Sequence, residues 1–196
     1  MSEIILASAS PRRREIMENM GISFSILTAD VDESTIDTCV MPEIYVQQLA
    51  LLKAAAAAKK IIHNKKAIVI SADTVVVHDG KILGKPKDEA DAVNTLKSLS
   101  GDVHRVYTGF CVLRVSDAYT VCQNVCTKVR MRQLTDEKIE RYVRTGECMD
   151  KAGSYAVQGL GAMLVDKIEG DYFNVVGLPA GELAQVLEED FGYKII

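Results

Sequence analysis

The sequence has no run of about 20 apolar residues, the length that a helix needs to cross a bilayer. Its longest apolar stretch, Leu49–Ala58, consists mostly of alanine and is interrupted by Lys53. The N-terminus is also unlike a signal peptide, because its short apolar run is followed at once by a proline and three arginines. We therefore expect a cytoplasmic protein that does not bind membranes.

The chain lacks an excess of basic residues. Its 196 residues include 23 Lys and Arg against 27 Asp and Glu, for a net charge of −4 at pH 7. This balance provides no electrostatic surface for non-specific binding to nucleic acid, so we expect no nucleic-acid partner. An anionic ligand would have to be held by a local cluster of cations.

Several familiar site motifs are missing. The five cysteines are odd in number and scattered, which indicates reduced thiols rather than a disulfide framework. Cys122 and Cys126 could suggest a metal clip, but they lie on one face of a predicted strand and have no second pair at zinc-finger spacing. There is no P-loop, no G-x-S-x-G, no H-E-x-x-H and no G-x-G-x-x-G after a strand. A Walker-type NTPase is therefore not expected.

What is present is an alternation of helical and strand patterns. The predicted helices cover residues 11–20, 42–63, 88–99, 135–145 and 179–190, and the predicted strands cover 4–7, 23–28, 66–72, 75–77, 81–83, 104–115 and 119–132. The glycine-rich stretch 153–177 is predicted to form short strands and turns. We predict an α/β fold with a mixed twisted sheet in two lobes around a cleft, organised as a single domain over residues 1–196.

The segment Ser8–Arg13 places a strand end, small residues, a helix start and two arginines in direct succession. Ser10 suits the N-cap and Pro11 the first helical position. The free N–H groups and the positive end of the helix dipole favour an anion, and the guanidinium groups of Arg12 and Arg13 match phosphate oxygens. The alternative is an ordinary capped helix with a solvated first turn. Because arginines there oppose the helix dipole, a bound anion is favoured.

A second segment, Ser71–Thr74, places Asp73 at the end of an apolar strand, where α/β folds position groups that contact ligands. The same carboxylate could instead cap the next turn. Lys53, within an Ala/Leu helix, and Lys85, after a predicted strand, supply cations. For Lys53 the alternative is a surface side chain that extends to solvent.

Acidic and amide groups complete the candidate set. Asp32 and Glu33 lie in an acidic loop, and Gln158 lies in a glycine-rich segment that begins at Asp150. The alternative is that this acidic loop is simply exposed to solvent, as charged runs usually are. Taken together, however, the chain offers cations for a polyphosphate, carboxylates for a hard divalent metal and an amide for the edge of a base.

Seven motifs occur in order along nearly the whole chain. They are LASASPRR, VDE, SADTVV, GKP, SGDVHRVYTG, DKAGSYAVQG and EGDYFNVVGLP, which begin at Leu6, Val31, Ser71, Gly84, Ser100, Asp150 and Glu169. Any one of them is weak alone, but in this order they resemble the Maf family. The resemblance implies a fold related to inosine-triphosphate pyrophosphatases. It also implies an enzyme that cuts a nucleoside triphosphate to its monophosphate and pyrophosphate.

The resemblance also assigns roles to residues. It places Ser8, Arg12, Arg13, Lys53 and Lys85 at the phosphates, and it makes Glu33 and Asp73 the acidic centre, with Asp73 as the proton acceptor. A divalent cation, Mg²⁺ or Mn²⁺, would be held through Glu33 and Asp73. Which of the two carboxylates is the base and which is mainly a metal ligand stays open. The oligomeric state also stays open, with a homodimer as one alternative.

The choice of base is predicted from Arg12, Thr74 and Gln158. A sister branch of the family acts on 7-methyl-GTP and typically carries an aromatic residue, Gln and Glu at the matching positions. Gln158 instead offers one acceptor and two donors, which suit the N–H and carbonyl groups of uracil and thymine. We therefore expect dTTP and UTP as substrates. The alternatives are a 7-methyl-GTP pyrophosphatase and a nucleotide-binding regulator of cell division.

Overall fold

A computed structural model describes residues 2–37 and 40–196, so that Cys39, counted above among the reduced thiols, lies outside the described residues. The strands are β1 (Glu3–Leu6), β2 (Phe24–Ile26), β3 (Ala67–His78), β4 (Lys81–Leu83), β5 (Val103–Arg114), β6 (Thr120–Met131) and β7 (Val165–Glu169). The helices are α1 (Pro11–Asn19), α2 (Pro42–Lys60), α3 (Glu89–Leu99), α4 (Asp136–Val143), α5 (Tyr172–Val176) and α6 (Ala180–Glu189).

All seven strands belong to one mixed sheet. Six follow the order β2-β1-β3-β5-β6-β7, and β4 pairs with β3. β1 runs parallel to β2 and β3, whereas β4 is antiparallel to β3 and β7 is antiparallel to β6. The predicted mixed α/β fold is thus confirmed. No helix within 2–37 or 40–196 is both long and apolar enough to span a membrane.

The chain divides into two compact units, in agreement with the two predicted lobes. The first unit contains the residues up to Asp73 together with Thr108–Val125 and Gly177–Ile196. The second unit contains Thr74–Tyr107 and Cys126–Val176. Neither unit is continuous in sequence, and β3, β5 and β6 each contribute residues to both. A single domain over the whole chain stays a prediction.

In the first unit, α2 packs closely on the sheet because its inner face is built from small residues. Ala50, Ala54 and Ala57 are fully buried in a core that also includes residues of β1, β3 and β5. Gly109 on β5 lets the helix approach, since a β-carbon there would overlap the main chain of Val46. The hydroxyl of Ser71 on β3 also donates to the carbonyl of Ala50 at 2.6 Å. These contacts fix the register of α2 against the sheet.

In the second unit, a core forms between the sheet and the helices α3 and α4, with Leu96, Val129 and Ile139 among its buried residues. The predicted hairpin is confirmed: β3 and β4 pair across a turn in which Asp79 and Gly80 have φ angles of 49° and 72°. Positive φ at both central residues is the geometry that an Asp-Gly turn adopts in a two-residue hairpin.

The N-terminal caps of three helices can be compared with the sequence prediction. Ser10 accepts from the N–H of Arg13 at 3.5 Å, and Thr135 accepts from that of Lys138 at 3.2 Å, so both predicted N-caps are confirmed. Asp88, predicted as the first residue of a helix, caps it instead and accepts from the N–H of Asp91 at 2.8 Å.

One strand prediction was wrong. The strands expected at 66–72 and 75–77 are one strand, β3, so Asp73 lies within a strand and neither ends it nor caps a turn. The β-branched residues Thr74–Val77 continue the pairing after the polar break. The glycine-rich stretch 153–177 contains turns at Ala152–Ser154 and Gly159–Leu164 and the short strand β7, as predicted, but the helix α5 was not predicted.

Cys122 also has a neighbour that the sequence did not indicate. Its Sγ lies 2.6 Å from that of Cys111 on β5. Cys122 is partly buried on β6, and Cys126 is exposed.

Candidate active site

The segment that begins α1 forms a cradle of donors in the first unit. Ser8 is buried, and its Oγ accepts from the N–H of Ser10 at 3.2 Å and from Nη1 of Arg13 at 3.2 Å. The Nε of Arg13 donates to the main-chain carbonyl of Gly177 at 2.8 Å. Arg12 lies beside it in the first turn of α1 and is partly exposed. Arg13 is therefore held in place and is not a solvated side chain.

The electrostatic surroundings of Arg13 are mixed. Burial lowers the pKa of Arg13 below the ordinary value of arginine, and the positive charge of Arg12 lowers it further. The negative charges of Asp73 and Glu33 raise the pKa but do not cancel the lowering. An arginine stays protonated in any protein environment, so burial here keeps a permanent cation short of solvent. Such a cation is suited to binding an anion.

Lys53 lies between two carboxylates of the first unit. Its Nζ is 2.7 Å from Oε1 of Glu33 and 2.5 Å from Oδ1 of Asp73. The side chain is 18% exposed, so the alternative of a lysine that extends to solvent is wrong. α2 carries Lys53, β3 carries Asp73, and a 3₁₀ turn at Glu33–Thr35, capped by Asp32, carries Glu33. The structure thus brings together Ser8, Arg13, Glu33, Lys53 and Asp73.

Tyr45 is a neighbour of this cluster that sequence reasoning missed. Burial raises the pKa of Tyr45 above its ordinary value, and the negative charges of Asp73 and Glu33 raise it further. The signal was available, because Tyr45, Leu49 and Lys53 follow one another at intervals of four and therefore share one face of α2.

The other three predicted residues belong to the second unit. Thr74 lies on β3 and is partly buried, Lys85 follows β4 and is exposed, and Gln158 immediately precedes the 3₁₀ turn at Gly159–Leu164. The segments that carry Lys85 and Gln158 are linked through Gly153, whose N–H donates to the carbonyl of Gly84 at 3.0 Å. Gly153 has a φ of 70° and packs against Val76 of β3, so a side chain there would be strained and crowded.

The loop that carries Gln158 is held by side chains that the sequence did not single out. Glu147 accepts from the N–H groups of Leu160 at 3.0 Å and Gly161 at 2.9 Å. The hydroxyl of Tyr142 donates to Glu147 at 3.1 Å and accepts from the N–H of Ala156 at 3.2 Å. No sequence periodicity links these residues, because the contacts join the end of α4 to an irregular loop.

Two groups of side chains could hold a metal. Glu33 and Asp73 converge on one cation, the ammonium group of Lys53. A Mg²⁺ ion is commonly held by one or two carboxylates, with water and substrate phosphates supplying the remaining oxygens, so this pair fits a divalent ion that binds together with a nucleotide. His78, Asp79 and Asp102 of the second unit offer ligand atoms that lie within 4.8 Å of one another. In this group His78 already pairs with Asp102 at 3.0 Å.

Comparison with known proteins identifies the family. The model described as Maf-like protein matches residues 3–190. The chain belongs to the Maf family. A curated relative named dTTP/UTP pyrophosphatase from Alkaliphilus metalliredigens is 50% identical over 196 residues, which is 100% of both chains. A protein of the same name from Caldanaerobacter subterraneus subsp. tengcongensis is 50% identical and aligned over 98% of this chain and 91% of its own.

The Maf fold has a more distant structural relative. A HAM1 protein from Coxiella burnetii superposes with a TM-score of 0.53 at 13% sequence identity, covering 96% of this chain and 100% of that one. At this identity the likeness concerns the fold alone.

Proposed function

We propose that this Maf protein hydrolyses dTTP and UTP to the monophosphate and pyrophosphate. The observation that carries the proposal is the arrangement around Lys53, where a cation and two carboxylates lie near the partly buried Arg13. Hydrolysis of a phosphoanhydride requires cations for the phosphates and a carboxylate that can take a proton from water. The names of the relatives that align with the full chain support the same activity and the same two substrates.

In the proposed mechanism, Asp73 orients a water molecule toward the α-phosphorus and accepts its proton. The P–O bond to the β-phosphate breaks, and pyrophosphate leaves with the bonding electron pair. Arg13, Lys53 and Lys85 stabilise the negative charge that develops on the leaving group. Ser8 holds the guanidinium group of Arg13 in place through its 3.2 Å hydrogen bond.

Glu33 and Asp73 are the residues that would hold a divalent cation, Mg²⁺ or Mn²⁺. Such an ion would neutralise charge on the phosphate oxygens. The carboxylates already share a cation, since both contact the ammonium group of Lys53. That ammonium group can turn to a phosphate oxygen when substrate and metal bind, because lysine has a flexible stem.

Base selection is assigned to Gln158, with Arg12 and Thr74 as further donors. The amide of Gln158 can donate to a carbonyl of uracil or thymine and accept from the N3–H group. A 7-methyl-GTP pyrophosphatase would need an aromatic ring and a carboxylate to bind its cationic purine. At the matching positions this chain has Arg12 and Gln158 instead.

The direct test incubates purified protein with dTTP or UTP and either Mg²⁺ or Mn²⁺, and measures pyrophosphate and orthophosphate separately. We expect one pyrophosphate for each monophosphate formed. Release of orthophosphate alone would contradict cleavage between the α- and β-phosphates. Tight nucleotide binding without turnover would instead favour the regulator of cell division.

The role of Gln158 is tested by Gln158→Glu, with the exposed Gln48→Glu on α2 as the matched control. A carboxylate would face the carbonyl oxygens of the base, so we expect kcat/KM for UTP to fall by roughly 10- to 100-fold relative to 7-methyl-GTP. An unchanged ratio would remove Gln158 from base recognition.

A further inference from the structure

The loop that carries Gln158 has its main chain held by side chains from α4 and the residues that follow it. Between Ala156 and Gly161, three main-chain N–H groups donate to side-chain oxygens: those of Ala156, Leu160 and Gly161. The position of Gln158 therefore depends on the residues that supply these acceptors.

The N–H groups that these acceptors bind lie on both sides of Gln158. Tyr142 accepts from Ala156, two residues before it, and Glu147 accepts from Leu160 and Gly161, two and three residues after it. The Tyr142 hydroxyl also donates to Glu147 at 3.1 Å, so the two side chains form one connected unit. We call this pair the loop clamp.

The glycines of the loop permit this contact. A β-carbon at Gly159 would collide with the carboxylate of Glu147. A β-carbon at Gly161 would overlap the carbonyl of Ala156 and crowd the hydroxyl of Tyr142. The loop is therefore folded tightly onto the clamp, with its two ends in contact.

The clamp itself is anchored in the second unit. The side chain of Tyr142 is 5% exposed in the core that α4 forms with the sheet. Glu147 is tied at its main chain, where its N–H donates to Thr145 at 3.3 Å and its carbonyl accepts from Lys151 at 2.7 Å. The clamp can therefore transmit the rigidity of the core to the loop.

The chemistry of the clamp requires a carboxylate. Three donors, two amides and one hydroxyl, point at Glu147, and an ionised carboxylate is the side chain that accepts without donating. Burial would raise the pKa of Glu147, but the hydrogen bonds from Leu160, Gly161 and Tyr142 and the charge of Lys151 lower it overall. A glutamine in this place would turn an N–H group toward at least one donor.

We infer that Glu147, together with Tyr142, is a positioning residue that presents Gln158 to the base of the substrate. This inference rests on the proposed function, because it assumes that Gln158 contacts the base. Neither residue is assigned a contact with substrate. Their effect is on the geometry of the loop and thereby on the binding of the base.

The test measures steady-state kinetics with UTP and inhibition by pyrophosphate, a product that has no base. The variants are Glu147→Gln and Tyr142→Phe, with Glu140→Gln, an exposed residue of α4 that pairs with Arg144, as the matched control. We expect both clamp variants to raise KM for UTP about tenfold with kcat changed less than threefold, since a lost contact to the base weakens binding more than chemistry. The inhibition constant of pyrophosphate should stay within twofold.

A double-mutant cycle with Gln158→Ala separates this inference from the proposed function. If the clamp acts through Gln158, Glu147→Gln should have little further effect on KM once Gln158 is alanine. Additive effects, or a normal KM in both clamp variants, would overturn the inference while Gln158→Ala alone still supported the proposed function. A normal KM in Gln158→Ala itself would refute the inference and the role of Gln158 in base recognition, whereas the product analysis above would still decide the proposed activity. Tyr142→Phe retains the buried ring, so it provides the answer if Glu147→Gln does not fold.

Discussion

The ammonium group of Lys53 lies 2.7 Å from the carboxylate of Glu33, a residue 20 positions earlier in the chain. The same nitrogen contacts Asp73 at 2.5 Å. A lysine in an alanine-rich helix and two acidic residues from separate segments thus form one cluster.

Asp73→Asn should retain the fold but reduce turnover of UTP by about 100-fold or more, because an amide cannot accept the proton of the attacking water. Asparagine has nearly the same shape as aspartate, and its amide oxygen can still accept a hydrogen bond from Lys53. The measurement is kcat together with the melting temperature. Asp117→Asn, which changes an exposed residue of the first unit, is the control. Native turnover in a folded Asp73→Asn protein would exclude Asp73 as the base.

Lys53→Met should reduce kcat/KM for UTP by about 100-fold, because the leaving pyrophosphate loses a cation. Methionine keeps most of the apolar stem of the side chain, so packing on α2 is retained. Lys59→Met tests an exposed lysine of the same helix and should behave like the native protein. A large fall in melting temperature with normal kinetics would mean that Lys53 serves only the fold.

Arg13→Ala should lower stability as well as activity. Its side chain donates to Gly177 and Ser8, and removing this partly buried donor leaves their oxygens without these bonds, at a cost of about 1–3 kcal/mol. Arg14→Ala is the control, because its pairing with Glu18 is exposed and worth little. Urea unfolding measures the free energy of unfolding of each variant. Equal stability of the two variants would show that the hydrogen bonds of Arg13 do not support the fold.

His104 should make stability depend on pH. The residue is 1% exposed on β5 and hydrogen-bonded to the hydroxyl of Tyr155 at 2.7 Å. Burial lowers the pKa of His104 to about 4, and the nearby His78 adds to the lowering, whereas Asp102 opposes it. In the unfolded chain His104 binds a proton as the pH falls below about 6.5, whereas in the folded protein it stays neutral until about pH 4. The free energy of unfolding therefore falls as the pH drops from 6.5 toward 4.

The expected loss from this group is about 2 kcal/mol between pH 7 and pH 5. Urea unfolding across that range should show a smaller loss in His104→Gln than in the native protein. His63→Gln removes an exposed histidine and should keep the native dependence. The same pH dependence in His104→Gln as in the native protein would contradict this prediction.

The fold was predicted well where the determining interactions are local. The N-caps Ser10 and Thr135 and the turn at Asp79-Gly80 form as expected, because capping and positive φ depend on a few consecutive residues. The mixed sheet follows from runs of apolar residues that need burial on both faces. The ordered motifs were also sufficient to indicate the family, which the comparison confirms over residues 3–190.

The sequence by itself thus determined most of the helices and strands, the family and the list of candidate site residues. Only the tertiary structure decided that β3 runs through Asp73, that Lys53 pairs with two carboxylates and that Glu147 holds the loop of Gln158. The reason is physical. A side chain has the same sequence neighbours whether it extends to solvent or is buried, and the outcome depends on which distant segment packs against it. For Lys53 that packing is set by Gly109 and Ser71, which bring α2 close to the sheet.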